Sequence, residues 1–275
     1  MNNKLIINAI QADIGNSLDI STVIFKFNEY KILEDTAENK YIAGSGDIEI
    51  LGSKSEGQPF KNFGILFSLI NLVKKSISKN EWGMNKMKEA IPLEGILNWV
   101  NENGIPYETE ENREIFGKYY SCGLKINEFR TKIAYLYSKF QLWLALIEND
   151  KDEILKYKSI LSFNDISNKS LKNALVYDSG LYNFNLIPTY DKENDSFKLQ
   201  VHTDSLFEAG LFQFYILLTN QIEKDEDGKL KHLKICEYCN KFFWANDSQQ
   251  KYCPHPDDPN KQSKCRKNAY YHRNK

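Results

Sequence analysis

The chain has 275 residues, of which 41% are hydrophobic and 27% are charged, and its net charge is −1. These values predict a globular protein with a sizeable core and exclude a chain dominated by disorder. The longest apolar stretch, residues 63–73, is too short to span a bilayer. Met1 to Lys4 does not resemble the start of a signal peptide. We therefore expect a cytoplasmic protein with no membrane partner.

The first 60 residues contain strand-forming patterns. Runs rich in β-branched and aromatic residues at positions 22–27, 41–42 and 48–51 predict strands, and polar, glycine-containing segments separate them. The glycine-containing segments do not have the spacing of a phosphate-binding loop. We expect them to be hairpin turns.

From residue 62 onward the period of the apolar residues becomes helical. Helices are predicted at residues 63–73, 93–101, 127–148, 170–177 and 206–222. The helix at 127–148 has the widest apolar stripe, so we expect it at the centre of the core. Residues 181–190 and 197–202 predict a β-hairpin connected by residues 191–195. The predicted fold class is α+β, mainly helical in its N-terminal domain, with short β-hairpins.

A charged run at residues 223–228 predicts a boundary between two domains. We expect residues 1–228 to form an α+β body and residues 229–275 to form a small separate module. The module has eleven Lys or Arg residues against four Asp or Glu residues, a charge of +7, which leaves −8 on the body. A basic module on an acidic body suits an electrostatic contact with nucleic acid.

Four of the five cysteines lie in the module, at Cys236, Cys239, Cys253 and Cys265. Two thiols separated by two residues, followed by two further thiols, suit a tetrahedral zinc site made of thiolates. We expect the first pair on a tight knuckle whose backbone amides point at the sulfurs. Cys265 is expected at the start of a helix, where free amides can bond its sulfur. His255 is the alternative to Cys265 as the fourth ligand.

The helix predicted after Cys265 is the candidate contact element for nucleic acid. Helical steps of three and four place its basic and aromatic residues on neighbouring faces. The candidate contact residues are Lys264, Arg266, Lys267, Tyr270, Tyr271, Arg273 and Lys275. Cations can neutralise phosphates, while tyrosine can stack on a base or sugar or bond a phosphate through its hydroxyl group.

Several local motifs follow one another in a recognisable order. They are Leu171-Lys172-Asn173-Ala174-Leu175, a β-hairpin, an apolar helix ending Leu217-Leu218-Thr219, the run Leu233 to Cys239, Phe242-Phe243, Tyr252-Cys253 and a cysteine that opens a basic helix. This order resembles bacterial proteins that join an ABATE-like N-terminal region to a CGNR-type, treble-clef-like zinc finger. Arg266, Lys267 and Asn268 stand where that family has Gly-Asn-Arg, and residues 254–264 form a longer loop than is usual there.

The resemblance implies a bacterial transcription regulator whose zinc finger binds DNA and whose zinc ligands are Cys236, Cys239, Cys253 and Cys265. It makes DNA a better candidate than RNA, and it gives the body a small-molecule or protein effector. Two alternatives stay open: a zinc-stabilised protein-interaction module, and an RNA-binding protein without a DNA function. No His-Glu-x-x-His motif, nucleophile elbow or paired-carboxylate motif is present, so we do not expect an enzyme.

Overall fold

The structure, a computed structural model, describes fourteen stretches of the chain. They are residues 19–22, 24–34, 39–51, 63–74, 76, 83–106, 123–177, 185–191, 196–203, 205–219, 232–245, 247, 249–255 and 261–273. Within them the fold is α+β, as predicted, with eight helices and three small sheets. The predicted boundary at residues 223–228 lies outside the described residues.

The helices are named in chain order. They are α1 (Gly64–Lys74), α2 (Met84–Ala90), α3 (Leu93–Asn103), α4 (Ile126–Glu148), α5 (Lys151–Ile160), α6 (Asn168–Tyr177), α7 (Leu206–Thr219) and α8 (Lys264–Arg273). The apolar period predicted α1, α3, α4, α6 and α7, but it did not predict α2 or α5. The sequence does carry a start signal for α5, because Asp150 is a favourable N-cap residue directly before the helix. In the structure its carboxylate accepts hydrogen bonds from the amides of Asp152 and Glu153.

The strands form three separate sheets. The strands, in chain order, are β1 (Asp19–Thr22), β2 (Ile24–Glu34), β3 (Lys40–Leu51), β4 (Gly123–Lys125), β5 (Asn185–Asp191), β6 (Ser196–Thr203), β7 (Leu233–Ile235) and β8 (Phe242–Trp244). Their orders are β1-β6-β5, β2-β3-β4 and β7-β8. The predicted hairpin is confirmed as the antiparallel pair β5 and β6. The parallel pairing of β1 with β6 was not predicted. The hairpin turn expected between residues 42 and 48 is wrong, because β3 continues through this segment and Gly44 and Ser45 pair with β2.

Helix α4 lies at the centre of the main core, as its apolar stripe predicted. Phe129, Ile133 and Phe140 on this helix are completely buried. They belong to one cluster with the buried side chains of α1 and α7 and with Ile42 of β3. Burial of this extent is the main source of stability for a domain of this size.

The hairpin of β7 and β8 packs directly on this core. Successive side chains of a strand point to opposite faces, and β8 follows that rule. Phe242 contacts Phe140 of α4 with ring centroids 5.0 Å apart, and Trp244 contacts Phe63 with centroids 4.9 Å apart. Phe243, between them, belongs to a second cluster that contains the cysteines. One short strand therefore joins the cysteine cluster to the body.

No helix in the described part of the chain has both the length and the hydropathy that a membrane span requires.

Candidate metal centre

The first two cysteines lie at the turn that connects β7 to β8. The amide of Cys236 donates to the carbonyl of Lys241 at 2.9 Å, and the amide of Asn240 donates to the carbonyl of Cys236, also at 2.9 Å. Asn240 has a φ of 57°, a left-handed conformation that asparagine tolerates better than most residues. The turn is the tight knuckle that the spacing of Cys236 and Cys239 predicted.

The other two cysteines come from separate segments of the chain. Cys253 lies in the stretch after β8, and Cys265 is the second residue of α8. The Ser263 hydroxyl accepts a hydrogen bond from the Arg266 amide at 3.2 Å, and the Ser263 carbonyl accepts one from the Lys267 amide at 3.1 Å. Ser263 is thus the N-cap that starts α8 and places Cys265 in its first turn.

The four sulfurs form one cluster. All of them lie within 4.8 Å of one another, and the sulfurs of Cys239 and Cys253 are 3.5 Å apart. None of the four thiols is in a disulfide. A tetrahedral zinc site with Zn–S bonds of about 2.3 Å has its sulfurs about 3.8 Å apart, so the cluster has the dimensions to hold such an ion. His255, which the structure describes, is not in this group.

The hydrogen bonds at the knuckle prepare one of the thiols for ionisation. Burial of Cys236 opposes ionisation, but the amides of Cys239, Cys253 and Tyr238 donate to its sulfur, and together they lower its pKa to about 7. The amides of the knuckle therefore point at a sulfur, as predicted. Such amides favour the thiolate, which is the form that binds a metal.

The other thiols show why this cluster needs a cation. Burial, followed by repulsion from the thiolates of Cys239 and Cys236, raises the pKa of Cys253 far above its usual value. Burial is also the main reason why the pKa of Cys265 rises to about 12, and the neighbouring Cys239 and Cys236 raise this pKa further. Four thiolates this close together repel one another unless a cation lies between them. The donor set therefore fits a divalent metal ion.

A small apolar cluster surrounds the sulfurs. It consists of Phe243, Ala245 and the buried Cys236, with Tyr252 packed against them. The Ala245 amide donates to the carbonyl of His232 at 2.6 Å and closes the open end of the hairpin. This cluster is too small to form a stable core by itself, so a bound metal would supply folding free energy here.

Lys74, the last residue of α1, lies between the body and the metal centre. Its ammonium nitrogen is 3.7 Å from the centre of the Phe242 ring, a cation–π contact. That nitrogen is buried and has no hydrogen-bond partner among the described residues. Burial lowers the pKa of Lys74 to about 8, and the nearby Cys239 thiolate opposes this shift. The positive charge of Lys74 therefore favours the thiolate form of the cluster.

Helix α8 turns one face toward the four cysteines and the other toward solvent. Cys265 and Ala269, one turn apart, are on the inner side, and Ala269 is buried. The predicted contact residues Lys264, Arg266, Lys267, Tyr270 and Tyr271 are all exposed. The side chain of Arg273 and the whole of Lys275 lie outside the described residues.

A polar cavity of about 410 Å³ opens beside the start of α8. Its cationic lining comes from Lys251, Lys261 and Arg266, and Asp247 contributes a carboxylate. Lys251 also pairs with Glu237 at 3.4 Å. Lys251 and Lys261 therefore place two further cations near α8, in addition to Arg266 of the helix itself.

Four residues of this region were not predicted from the sequence. They are Asn71, Lys74, Tyr238 and Ser263. Ser263 carried a readable signal, because serine directly before a helix is a common N-cap. Tyr238 stands inside the knuckle, where its ring stacks on His272 of α8 with centroids 6.0 Å apart. Asn71 and Lys74 had no local signal, since their partners are more than 160 residues away.

No known protein family, curated protein or solved structure matches this chain. The fold and the site by themselves define its class: an α+β protein with four cysteines positioned to hold a metal ion. The resemblance to CGNR-type proteins and the treble-clef class of the module stay predictions from the sequence.

Proposed function

We propose that the chain is a zinc-stabilised nucleic-acid-binding protein whose helix α8 contacts the polymer. The observation that carries the proposal is the outer face of α8, which we define as Lys264, Arg266, Lys267, Tyr270 and Tyr271. Every one of these side chains is exposed while the opposite side of the helix faces the metal centre. A rigid helix with cations and tyrosines directed at solvent suits binding to a polyanion.

Zinc is the metal that the four cysteines favour. Soft thiolate ligands in a closed tetrahedral shell are typical of structural zinc sites and leave no coordination position for a reacting water. The ion would link the knuckle, the segment of Cys253 and the first turn of α8. Its role in the proposal is to fix the direction in which α8 presents its outer face.

The distribution of charge supports the same proposal. The module has a formal charge of +7 and the body has −8. Four thiolates and one zinc ion together carry −2, so the loaded module would have about +5. An acidic body repels a polyanion and a basic module attracts it, which directs the polymer to α8.

The resemblance to CGNR-type fingers makes DNA the first polymer to test, and a role in transcription regulation is its further implication. The same resemblance also implies that the body binds an effector, either a small molecule or a protein. Exposed Ile235 and Tyr238 at the knuckle favour a second candidate function, a docking surface for another protein. That candidate predicts no binding of any nucleic acid.

The dependence of affinity on salt tests the proposal. We expect fluorescence anisotropy titrations with a labelled oligonucleotide duplex to show affinity that falls with salt. The triple variant Lys264→Gln, Arg266→Gln, Lys267→Gln should reduce the magnitude of the log–log slope by about 0.9 for each phosphate that the variant no longer binds, up to about 2.7. The same titrations with single-stranded DNA and RNA identify the polymer.

The matched control removes three exposed lysines from the body: Lys151→Gln, Lys169→Gln and Lys172→Gln. It changes the net charge by the same amount but leaves α8 unchanged, so its slope should equal that of the unmodified chain. Equal slopes for the two triple variants, or no binding to any of the three polymers, would refute the proposal.

A further inference from the structure

Among the described residues, most of the large exposed apolar side chains lie on the module. Six large apolar or aromatic side chains are exposed in the described residues, and four belong to the module: Ile235, Tyr238, Tyr270 and Tyr271. Tyr270 and Tyr271 are each 67% exposed. Exposed aromatic rings are costly to leave in water, and a cluster of them marks a binding surface. A purely electrostatic contact with phosphates would not need them.

The tyrosines alternate with cations around α8. At about 100° per residue, the order around the helix axis is Arg266, Tyr270, Lys267, Tyr271, Lys264, with about 20–60° between neighbours. The rings of Tyr270 and Tyr271 have centroids 6.3 Å apart and are inclined by 73°. Each ring therefore presents its own face, and each has a cation on both sides.

This alternation fits a strand whose bases are free. In a duplex the base faces are covered by their neighbours, and proteins read the base edges with arginine, asparagine or glutamine. Arg266 could contact a guanine edge, but the outer face of α8 has no amide side chain for adenine, because Asn268, the one amide residue among the described side chains of the helix, is half-buried. In a single strand, bases can stack on aromatic rings while cations follow the phosphates.

A third aromatic platform extends the surface past the end of the outer face. Tyr238 of the knuckle stacks on His272 of α8 with an interplanar angle of 25°, and both side chains are exposed. This contact holds the Tyr238 ring beside α8 and leaves it exposed. The module thus exposes aromatic rings both on α8 and on the knuckle.

From these observations we infer that the nucleic acid bound by α8 is single-stranded, with bases stacked on Tyr270 and Tyr271 and phosphates bound by Lys264, Arg266 and Lys267. The inference rests on the proposed function and specifies its ligand. Stacking of this kind tolerates any base, so binding should have little sequence preference. Whether the protein prefers DNA or RNA depends on whether it contacts the 2′-hydroxyl group, which only RNA has.

The test compares three labelled 12-mers by anisotropy with the full, metal-loaded chain: oligo-dT, oligo-U and a mixed-sequence duplex. We expect at least one single strand to bind about 10-fold more tightly than the duplex. The double variant Tyr270→Leu, Tyr271→Leu should lose about 5- to 150-fold in single-strand affinity for each base that stacks. Its duplex affinity should not change.

The matched control is Tyr270→Phe, Tyr271→Phe, which keeps the rings and removes the hydroxyl groups. It should bind single strands within about 3-fold of the unmodified chain, because stacking needs the ring alone. Circular dichroism and zinc content should be the same for both double variants, since the altered side chains are exposed.

The outcomes separate this inference from the proposed function. Duplex binding at least as tight as single-strand binding, or equal single-strand affinities for the Leu and Phe variants, would overturn the inference and leave the proposed function in place. No binding to any of the three 12-mers would overturn both. Tighter binding of oligo-dT or of oligo-U identifies the strand as DNA or RNA.

Discussion

The side chain of Asn71 holds the strand β8 against the body. Its amide nitrogen donates to the carbonyl of Phe242 at 3.1 Å, and its carbonyl oxygen accepts from the amide of Phe242 at 2.8 Å. Both hydrogen bonds are buried, and Asn71 is 7% exposed. A buried backbone amide and carbonyl without partners would each cost free energy. One side chain satisfies both groups at the junction between body and module.

The substitution Asn71→Ala should lower the free energy of unfolding by about 2–4 kcal/mol, because it leaves two buried backbone groups unpaired. Urea unfolding followed by circular dichroism measures this change. The control is Asn101→Ala, since within the described part of the chain the exposed Asn101 amide bonds only to Leu97 in its own helix. That control should change the free energy by less than about 0.5 kcal/mol. Similar values for the two variants would show that Asn71 does not connect the module to the body.

The residues of the metal centre could be predicted because their signal is local. Two cysteines separated by two residues define a knuckle, and zinc chemistry requires further thiols to complete the shell. The contacts of Asn71 and Lys74 could not be predicted in this way. A polar residue in the apolar stripe of α1 indicates that some partner exists, but nothing in the sequence identifies a strand 171 residues away.

At the scale of the elements, the close approach of α1 and α7 organises the body. Gly210 of α7 faces α1, where an added Cβ atom would lie 2.7 Å from the Cδ1 atom of Leu69 and 3.2 Å from the Cγ2 atom of Ile65. Gln213, one turn further along α7, accepts a hydrogen bond from the amide of Leu66 at 2.9 Å. That amide belongs to the first turn of α1 and has no partner within its own helix.

We expect Gly210→Ala to destabilise the protein by about 1–3 kcal/mol, because the added methyl group overpacks a buried contact between two helices. The melting temperature and the urea midpoint both report this loss. Gly95→Ala in α3 is a matched control: the new Cβ atom would lie 3.2 Å from Cγ of the exposed Pro92. Its effect should stay within about 1 kcal/mol, since alanine also improves helix propensity. If Gly210→Ala were neutral or stabilising, the proposed close packing would be wrong.

The elements themselves were predicted with uneven success, and for physical reasons. Long helices with a wide apolar stripe, such as α4, are evident from their period. Helix α2 is not, because its seven residues hold too few apolar positions to define a period. Helix α5 is not either, because six of its ten residues are polar. The parallel pairing of β1 with β6 joins segments about 180 residues apart, and neither strand carries a mark of its partner.

At the scale of the whole molecule, the metal centre and the body share packing. Phe242 and Leu233 of the module belong to the main core, whereas Phe243 belongs to the cluster around the cysteines. The charged run at residues 223–228 predicted a boundary between body and module, and it gave no indication of these contacts. Because β8 supplies side chains to both clusters, a metal bound by the cysteines and the core of the body would together set the direction of α8.

We propose that a bound zinc ion holds α8 as the surface for nucleic acid. Removing the ion would release Cys265 and the first turn of α8, and the outer face would lose its fixed direction. Binding should therefore depend on zinc even though no residue of the outer face is a zinc ligand.

The most direct measurement follows zinc content and oligonucleotide binding in the same samples as a chelator removes the metal. We predict one zinc ion per purified chain, anisotropy that falls in proportion to the zinc removed, and recovery when zinc is returned. Chelator already saturated with zinc should have no effect. Chains that contain no zinc when purified, or that bind the oligonucleotide equally well after losing it, would contradict the account.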